Sequence, residues 1–192
     1  MDVIRGGSDL DEALEAARDG DARGFDTLFR ALSGSVTAFL RARNVDDAED
    51  LANEVFLRAF RTLSTFRGDA DRFRSWLFTI AHHAAIDDRR RFARRITQVP
   101  LGVEHASPGG DVEDEVFAGL ADDRVRGLLD QLSPDQRDVL LLRIVADLTA
   151  EQTAATLDKS YEAVKALQRR GLASLRRLLG EAATPRGQGV PR

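Results

Sequence analysis

The sequence predicts an all-α protein made of two small helical domains joined by a flexible linker. Three observations carry that expectation. Apolar residues recur at helical spacing along most of the chain, and no segment alternates with the period of two that a half-buried strand needs. Residues 97–114, TQVPLGVEHASPGGDVED, break the periodicity with prolines and glycines and read as a linker. Charged side chains make up 31% of the 192 residues and aromatics 6%, which suits exposed helix faces better than sheets. The expected division is 20–96, a linker at 97–115, a second unit at 116–180 and a disordered tail at 181–192. Each half is short enough that its core is thin and partner contacts matter to its stability.

Helices are expected at about 9–18, 22–43, 46–64 and 71–94, and at about 116–131, 134–146, 150–157 and 161–179. Residues 46–63 carry an apolar face of Leu51, Val55, Phe56, Ala59, Phe60 and Leu63 and open on Asp46, Asp47, Glu49, Asp50 and Glu54. Acids near a helix N-terminus complement its dipole. So many of them exceed what capping requires, and a basic partner protein competes as the explanation. In residues 65–95, Phe66, Phe73, Trp76, Leu77 and Ile80 alternate with Arg67, Arg72 and Arg74, and the helix ends in Arg89, Arg90, Arg91, Arg94 and Arg95. Aromatics interleaved with bases suit single-stranded nucleic acid, although helical spacing assigns most of these rings to a core.

In the second half, Ser133-Pro134-Asp135-Gln136 combines an N-cap serine, a proline at the first helical position and the glutamine of a capping box. Val139, Leu140, Leu142, Ile144 and Val145 are the expected core of that helix. Thr149 and Gln152 make a second capping box. Asp158-Lys159-Ser160 then turns the chain, since Asp tolerates a left-handed backbone and Ser160 is a good N-cap. The last helix places Val164, Leu167, Gly171, Leu175 and Leu178 on one stripe, so Glu162, Lys165, Ala166, Arg169, Ala173 and Arg177 face away. From Val164 to Gly180 the charges are Lys165, Arg169, Arg170, Arg176 and Arg177, all basic, in a chain of net charge −4. Two short helices with a basic second member form a helix-turn-helix, and segregated positive charge is the footprint of phosphate binding.

Other classes recede. The absence of cysteine excludes a disulfide framework and thiolate metal sites. The stretch MDVIRGGSDLDEALEAARDG lacks an apolar run after a basic start, so no secretory leader is expected. No apolar run approaches the length of a membrane span. A cytoplasmic protein without membrane insertion follows.

DAEDLANEVFLRAFRTL is similar to the D-A-E-D-L-x-Q-E-x-F-L-R of the sigma-70 family of bacterial RNA polymerase sigma factors, and FRSWLFTIAHHAAIDDRRR resembles its F-x-x-W-L-x-x-I-A-x-N-x-x-x-D-x-x-R-R. The C-terminal half resembles the family's second conserved region with its helix-turn-helix. The spacing leaves no room for a further domain, which resembles the extracytoplasmic function (ECF) group. That resemblance implies a subunit that binds core RNA polymerase and promoter DNA, initiates transcription, uses no cofactor and performs no catalysis. Asp50, Asn53 and Glu54 match positions that dock on the β′ clamp. Arg67, Asp69 and Arg72 fall in the loop that captures an extruded base of the −10 element, with His83 nearby and Arg89, Arg90 and Arg91 on backbone phosphates. Tyr161, Glu162, Lys165, Gln168 and Arg169 fall where the −35 element is read, beside a hydrophobic edge for the β flap. External control by an anti-sigma factor is also implied. The chain departs from the pattern at Asn53 for Gln, His83 for Asn, Asp158 for the turn glycine and Leu167 for a basic residue, and its −10 loop is about one residue longer.

Two competing readings remain at this stage. A helix-turn-helix regulator would bind duplex DNA without being a polymerase subunit. A metalloenzyme would use His82, His83, Asp87 and Asp88, but zinc needs at least three ligands and no further His or Cys lies nearby.

Overall fold

The structure is a computed structural model that describes residues 8–98 and 123–183. Residues 99–115 of the expected linker, residues 116–122 of the helix expected at 116–131 and residues 184–192 of the expected tail lie outside the described residues, and residues 97 and 98, expected as linker, instead end a helix. Among the described residues there are α-helices and one 3₁₀ turn and no strand. The first unit comprises α1 (Ser8–Arg18), α2 (Ala22–Arg41), α3 (Ala48–Thr62), a 3₁₀ turn (Leu63–Thr65) and α4 (Ala70–Gln98). The second comprises α5 (Asp123–Asp130), α6 (Pro134–Ile144), α7 (Ala150–Leu157) and α8 (Tyr161–Ala183).

α1 lies outside the expected 20–96 unit in sequence, yet it packs tightly against α2. The approach is so close that a Cβ at Gly24 would sit 2.4 Å from the Ala17 nitrogen and 2.6 Å from the Ala13 carbonyl oxygen. Asp21 caps α2 by accepting a hydrogen bond from the Arg23 N–H at 2.9 Å. α2 stops at Arg41, before the expected end, because the chain reverses over the next residues through Asn44 in the left-handed region at φ 60°. α3 buries Leu51, Val55, Phe56 and Ala59, and the 3₁₀ turn buries Leu63, as its apolar pattern predicted. Phe39, Phe73, Leu77 and Phe78 complete the core, Phe39 meeting Phe78 edge to face at 5.5 Å. Of the aromatic–basic stretch, Phe73 is therefore core, while Phe66 and Trp76 are half-buried and stack at 5.0 Å.

Both predicted capping boxes form. Ser133 Oγ accepts from the Gln136 N–H at 3.3 Å and Gln136 Oε1 accepts from the Ser133 N–H at 3.3 Å, with Pro134 opening α6. Thr149 and Gln152 repeat the arrangement at 3.1 and 2.7 Å. α7 ends on Asp158 at φ 51° and ψ 48°, and Ser160 Oγ accepts from the Ala163 N–H at 3.2 Å to start α8. Val164 is fully buried, and Gly171 admits Leu140 so closely that an added Cβ would lie 2.9 Å from Leu140 Cδ1. One expected core residue is corrected: Ile144 is 62% exposed, and Leu141 is buried in its place. α6 is enclosed by α7, α8 and the first unit, so Val139, Leu140, Leu141 and Leu142 are all buried and a single stripe does not describe the helix. α8 continues to Ala183, three residues into the expected tail.

The two units also meet along a polar seam. Arg43, just after α2, pairs with Asp138 of α6, and both side chains are largely buried. His82 Nδ1 of α4 lies 3.9 Å from the other oxygen of that carboxylate. Asn44 Nδ2 donates to Asp130 Oδ1 at 2.9 Å, Thr79 and Thr156 hydroxyls meet at 3.1 Å, and Arg74 lies 3.6 Å from Asp147. Beneath these, buried residues of both units, including Phe39, Ala85, Leu132 and Leu141, belong to one apolar cluster. No helix among the described residues is long and apolar enough to cross a membrane.

Candidate nucleic-acid interface

The expected site residues fall into three places, which the fold does not bring together. On α8, Glu162, Lys165 and Arg169 lie exposed on one face with Ala166 half-buried between them, and Gln168, Leu172 and Arg176 follow beside them. This follows from the buried stripe: once Val164 and Gly171 point inward, those positions must point out. Tyr161 is 39% exposed, and Lys165 Nζ stands 5.2 Å from its ring centroid, a cation over a π face. Gln168 is half-buried and its Oε1 accepts from Arg143 Nε at 3.4 Å, which fixes its amide at the margin of this face. Leu167 packs inward beside Leu157, so it contributes no charge to this face.

The second place is the loop between the 3₁₀ turn and α4. Arg67, Asp69 and Arg72 are exposed there. Asp69 Oδ1 accepts from the Arg72 N–H at 2.9 Å and so caps α4, whereas Arg67 Nη1 donates to the carbonyls of Ser64 at 2.8 Å and Phe66 at 2.9 Å. Gly68 has φ 150°, and a Cβ there would lie 2.9 Å from Arg72 Cβ, so only glycine fits. Further along α4, His83, Arg89, Arg90 and Arg91 are exposed, with Arg90 3.5 Å from Asp87.

The two adjacent histidines separate. His82 is buried in the seam, and burial, reinforced by Arg43, pushes its pKa down to about 4 even though Asp138 pulls the other way. It is neutral at physiological pH. Among the described residues no group of three or more His, Cys, Asp or Glu side chains could hold a metal ion.

The third place is the outer face of α3. Asp50 and Asn53 are exposed, Glu54 is half-buried beside Arg58, and Leu57 is 54% exposed on the same face. Asp47, at the N-cap position, makes no capping hydrogen bond through its side chain, and Glu49 is engaged by Arg41. The acids here exceed what α3 uses for its own terminus. Sequence reasoning missed Leu57, although its spacing of four from Asn53 and seven from Asp50 placed it on that face.

Comparison with known proteins shows which family the chain resembles. The family model for sigma-70 region 2 matches residues 28–96, and that for sigma-70 region 4 matches residues 128–177. The ECF RNA polymerase sigma factor BldN of Streptomyces coelicolor is 32% identical over 179 residues, spanning 90% of this chain and 66% of that protein. The ECF RNA polymerase sigma factor SigD of Mycobacterium tuberculosis is 32% identical over 178 residues, spanning 88% of this chain and 84% of SigD. The solved structure of CnrH in complex with the cytosolic domain of CnrY is similar at a TM-score of 0.66 and 26% identity, covering 91% of this chain and 99% of CnrH. With both conserved regions present in order and relatives of this identity matched over most of its length, the chain belongs to the sigma-70 family and, within it, to the ECF group of RNA polymerase sigma factors.

Proposed function

We propose that this ECF sigma factor divides its work among the three places described. The outer face of α3 docks on core RNA polymerase, at the β′ clamp, through Asp50, Asn53 and Glu54. The Arg67–Arg72 loop with His83 and Arg89–Arg91 engages the −10 element, and α8 reads the −35 element through Tyr161, Glu162, Lys165, Gln168 and Arg169. The apolar edge of the second unit, where Ile144 and Leu179 are 62% and 54% exposed, meets the β flap. The unit matched by region 2 and the unit matched by region 4 are then the functional domains, and the role is one of binding, in the cytoplasm, rather than catalysis. External control by an anti-sigma factor, which the family resemblance implies, completes the reading. The observation that carries the reading is the match to both conserved regions, with Asp50 and Asn53 exposed on α3 beside the Glu54–Arg58 ion pair.

Charge reversal tests the docking face. Like charges opposed at an interface cost several kcal/mol, so Asp50→Arg with Glu54→Arg is expected to keep near-normal helicity and melting temperature yet fail to bind core polymerase. Wild-type holoenzyme affinity in this double variant would remove α3 from the interface. For α8, loss of one good base contact costs about 1 to 3 kcal/mol. Lys165→Ala and Arg169→Ala should therefore relax −35 selectivity locally, and identical sequence logos from randomised −35 pools would overturn that assignment.

A further inference from the structure

α1 precedes the stretch matched by the family models, and no place among the three interfaces includes it. Its side chains nevertheless hold the loop that follows the 3₁₀ turn. Asp11 Oδ1 accepts a hydrogen bond from the Ala70 N–H at 2.7 Å. Arg18 Nη2 donates to the Gly68 carbonyl oxygen at 2.5 Å, and its guanidinium carbon lies 5.4 Å from the Phe66 ring centroid. Phe66 is fixed on its other neighbours by stacking on Trp76 at 5.0 Å. The two backbone groups that α1 grips, the carbonyl of residue 68 and the N–H of residue 70, flank Asp69 on either side. Two peptide planes held on either side of one residue fix the direction of its Cα–Cβ bond, and so where its side chain starts.

We infer that Asp11 and Arg18 are positioning residues for base selection: by pinning the backbone on both sides of Asp69 they set where the loop presents Asp69 and Arg67 to the −10 strand. This rests on the proposal that the loop receives an extruded −10 base. The loop needs such support. Gly68 takes a backbone conformation that other residues rarely adopt, and the local hydrogen bonds of Arg67 to Ser64 and Phe66 and of Asp69 to the Arg72 N–H leave the Gly68 carbonyl and the Ala70 N–H to be held by α1. Arg18 makes its contacts with a side chain only 16% exposed, hydrogen-bonded to Glu15 at one nitrogen and to Gly68 at another, so its guanidinium is oriented before DNA arrives. Neither residue touches the base. Their effect is on which base the loop prefers, not on how tightly the polymerase is held.

The test uses holoenzyme assembled from core RNA polymerase and the full chain, with selection from promoter pools randomised across the −10 element. Asp11→Ala and Arg18→Met should leave core affinity and the −35 logo unchanged while lowering discrimination at the captured base by about tenfold, within the range that one well-made base contact contributes. Asp11→Asn keeps an acceptor oxygen and should restore selectivity. Asp11 is exposed, so Asp11→Ala decides the question even if Arg18→Met folds poorly. A uniform fall for all four bases with an unchanged logo would assign α1 a merely structural role and overturn the inference. Unchanged discrimination in Asp11→Ala, with Asp69→Ala altering it, would sink the inference alone, whereas no effect from Asp69→Ala either would sink the reading of the loop itself.

Discussion

The helix-turn-helix of the second unit and the loop ahead of α4 in the first are built by opposite means. The caps and the turn that start and stop the helices of the former lie within a few residues of the groups they serve: Thr149 with Gln152, Asp158 at the turn, Ser160 with Ala163. The latter adds to its local cap at Asp69 the hold of Asp11 and Arg18, which are 59 and 50 residues from their partners. The seam extends the contrast, since Arg43 and Asp138 are 95 residues apart. A feature made locally survives damage elsewhere. One made across the chain transmits it.

The seam should show the largest effect of the kind. His82 packs against Asp138 of α6 and Arg43 beside α2, with His83 next to it on α4. Its pKa lies at about 4 in the fold against 6.5 when free, so the unfolded or undocked chain binds the proton more readily. The stability of the docked state is complete above pH 6.5 and declines as pH falls from there toward 4. Each pKa unit corresponds to about 1.4 kcal/mol, giving a loss on the order of 2 kcal/mol by pH 5. Urea unfolding of wild type and His82→Gln across this range should diverge, with the variant flatter. Parallel pH profiles would show that the seam does not hold the imidazole neutral.

An effect of similar size is expected within the first unit. Gly24→Ala drives a Cβ into the backbone of Ala13 and Ala17, and relief requires α1 to move away. Overpacking of this kind costs typically about 1 to 3 kcal/mol. Because α1 carries Asp11 and Arg18, the shift should loosen the loop ahead of α4 while α8 keeps its −35 selectivity. Equal losses of selectivity at both promoter elements would break the contrast between the two regions.

The same contrast explains what could be read from the sequence. The helix-turn-helix, both capping boxes, the left-handed turn at Asp158 and the outward face of α8 were legible, because helical period and cap chemistry are short-range signals. The all-α class and the exposure of Asp50 and Asn53 on α3 were legible for that reason too. Ile144 was misplaced because α6 is enclosed by neighbours on several sides, and periodicity reports one buried face only. The Arg43, His82 and Asp138 seam and the hold of Asp11 and Arg18 on the loop left no mark. Nothing in an exposed aspartate near the N-terminus indicates that it caps a helix in another part of the chain.

Asp158 offers the most local test and the smallest expected change. It stands where the resembling pattern carries glycine, and it adopts φ 51° and ψ 48° while its N–H reaches the carbonyls of Ala154 and Ala155. A left-handed conformation costs most L-residues roughly 1 to 2 kcal/mol, less for Asp, and glycine would relieve that strain. Glycine also loses more backbone freedom on folding, by about 0.5 to 1 kcal/mol relative to alanine within regular elements. The two terms nearly cancel, so Asp158→Gly should change stability by less than about 1 kcal/mol and leave the −35 logo as it was. Asp158→Val, branched at Cβ, cannot relax in this way and should lower stability by about 1 to 2 kcal/mol in urea denaturation. A larger loss for the glycine variant than for the valine variant would mean that the aspartate carboxylate itself holds the turn, through a contact the backbone geometry does not explain.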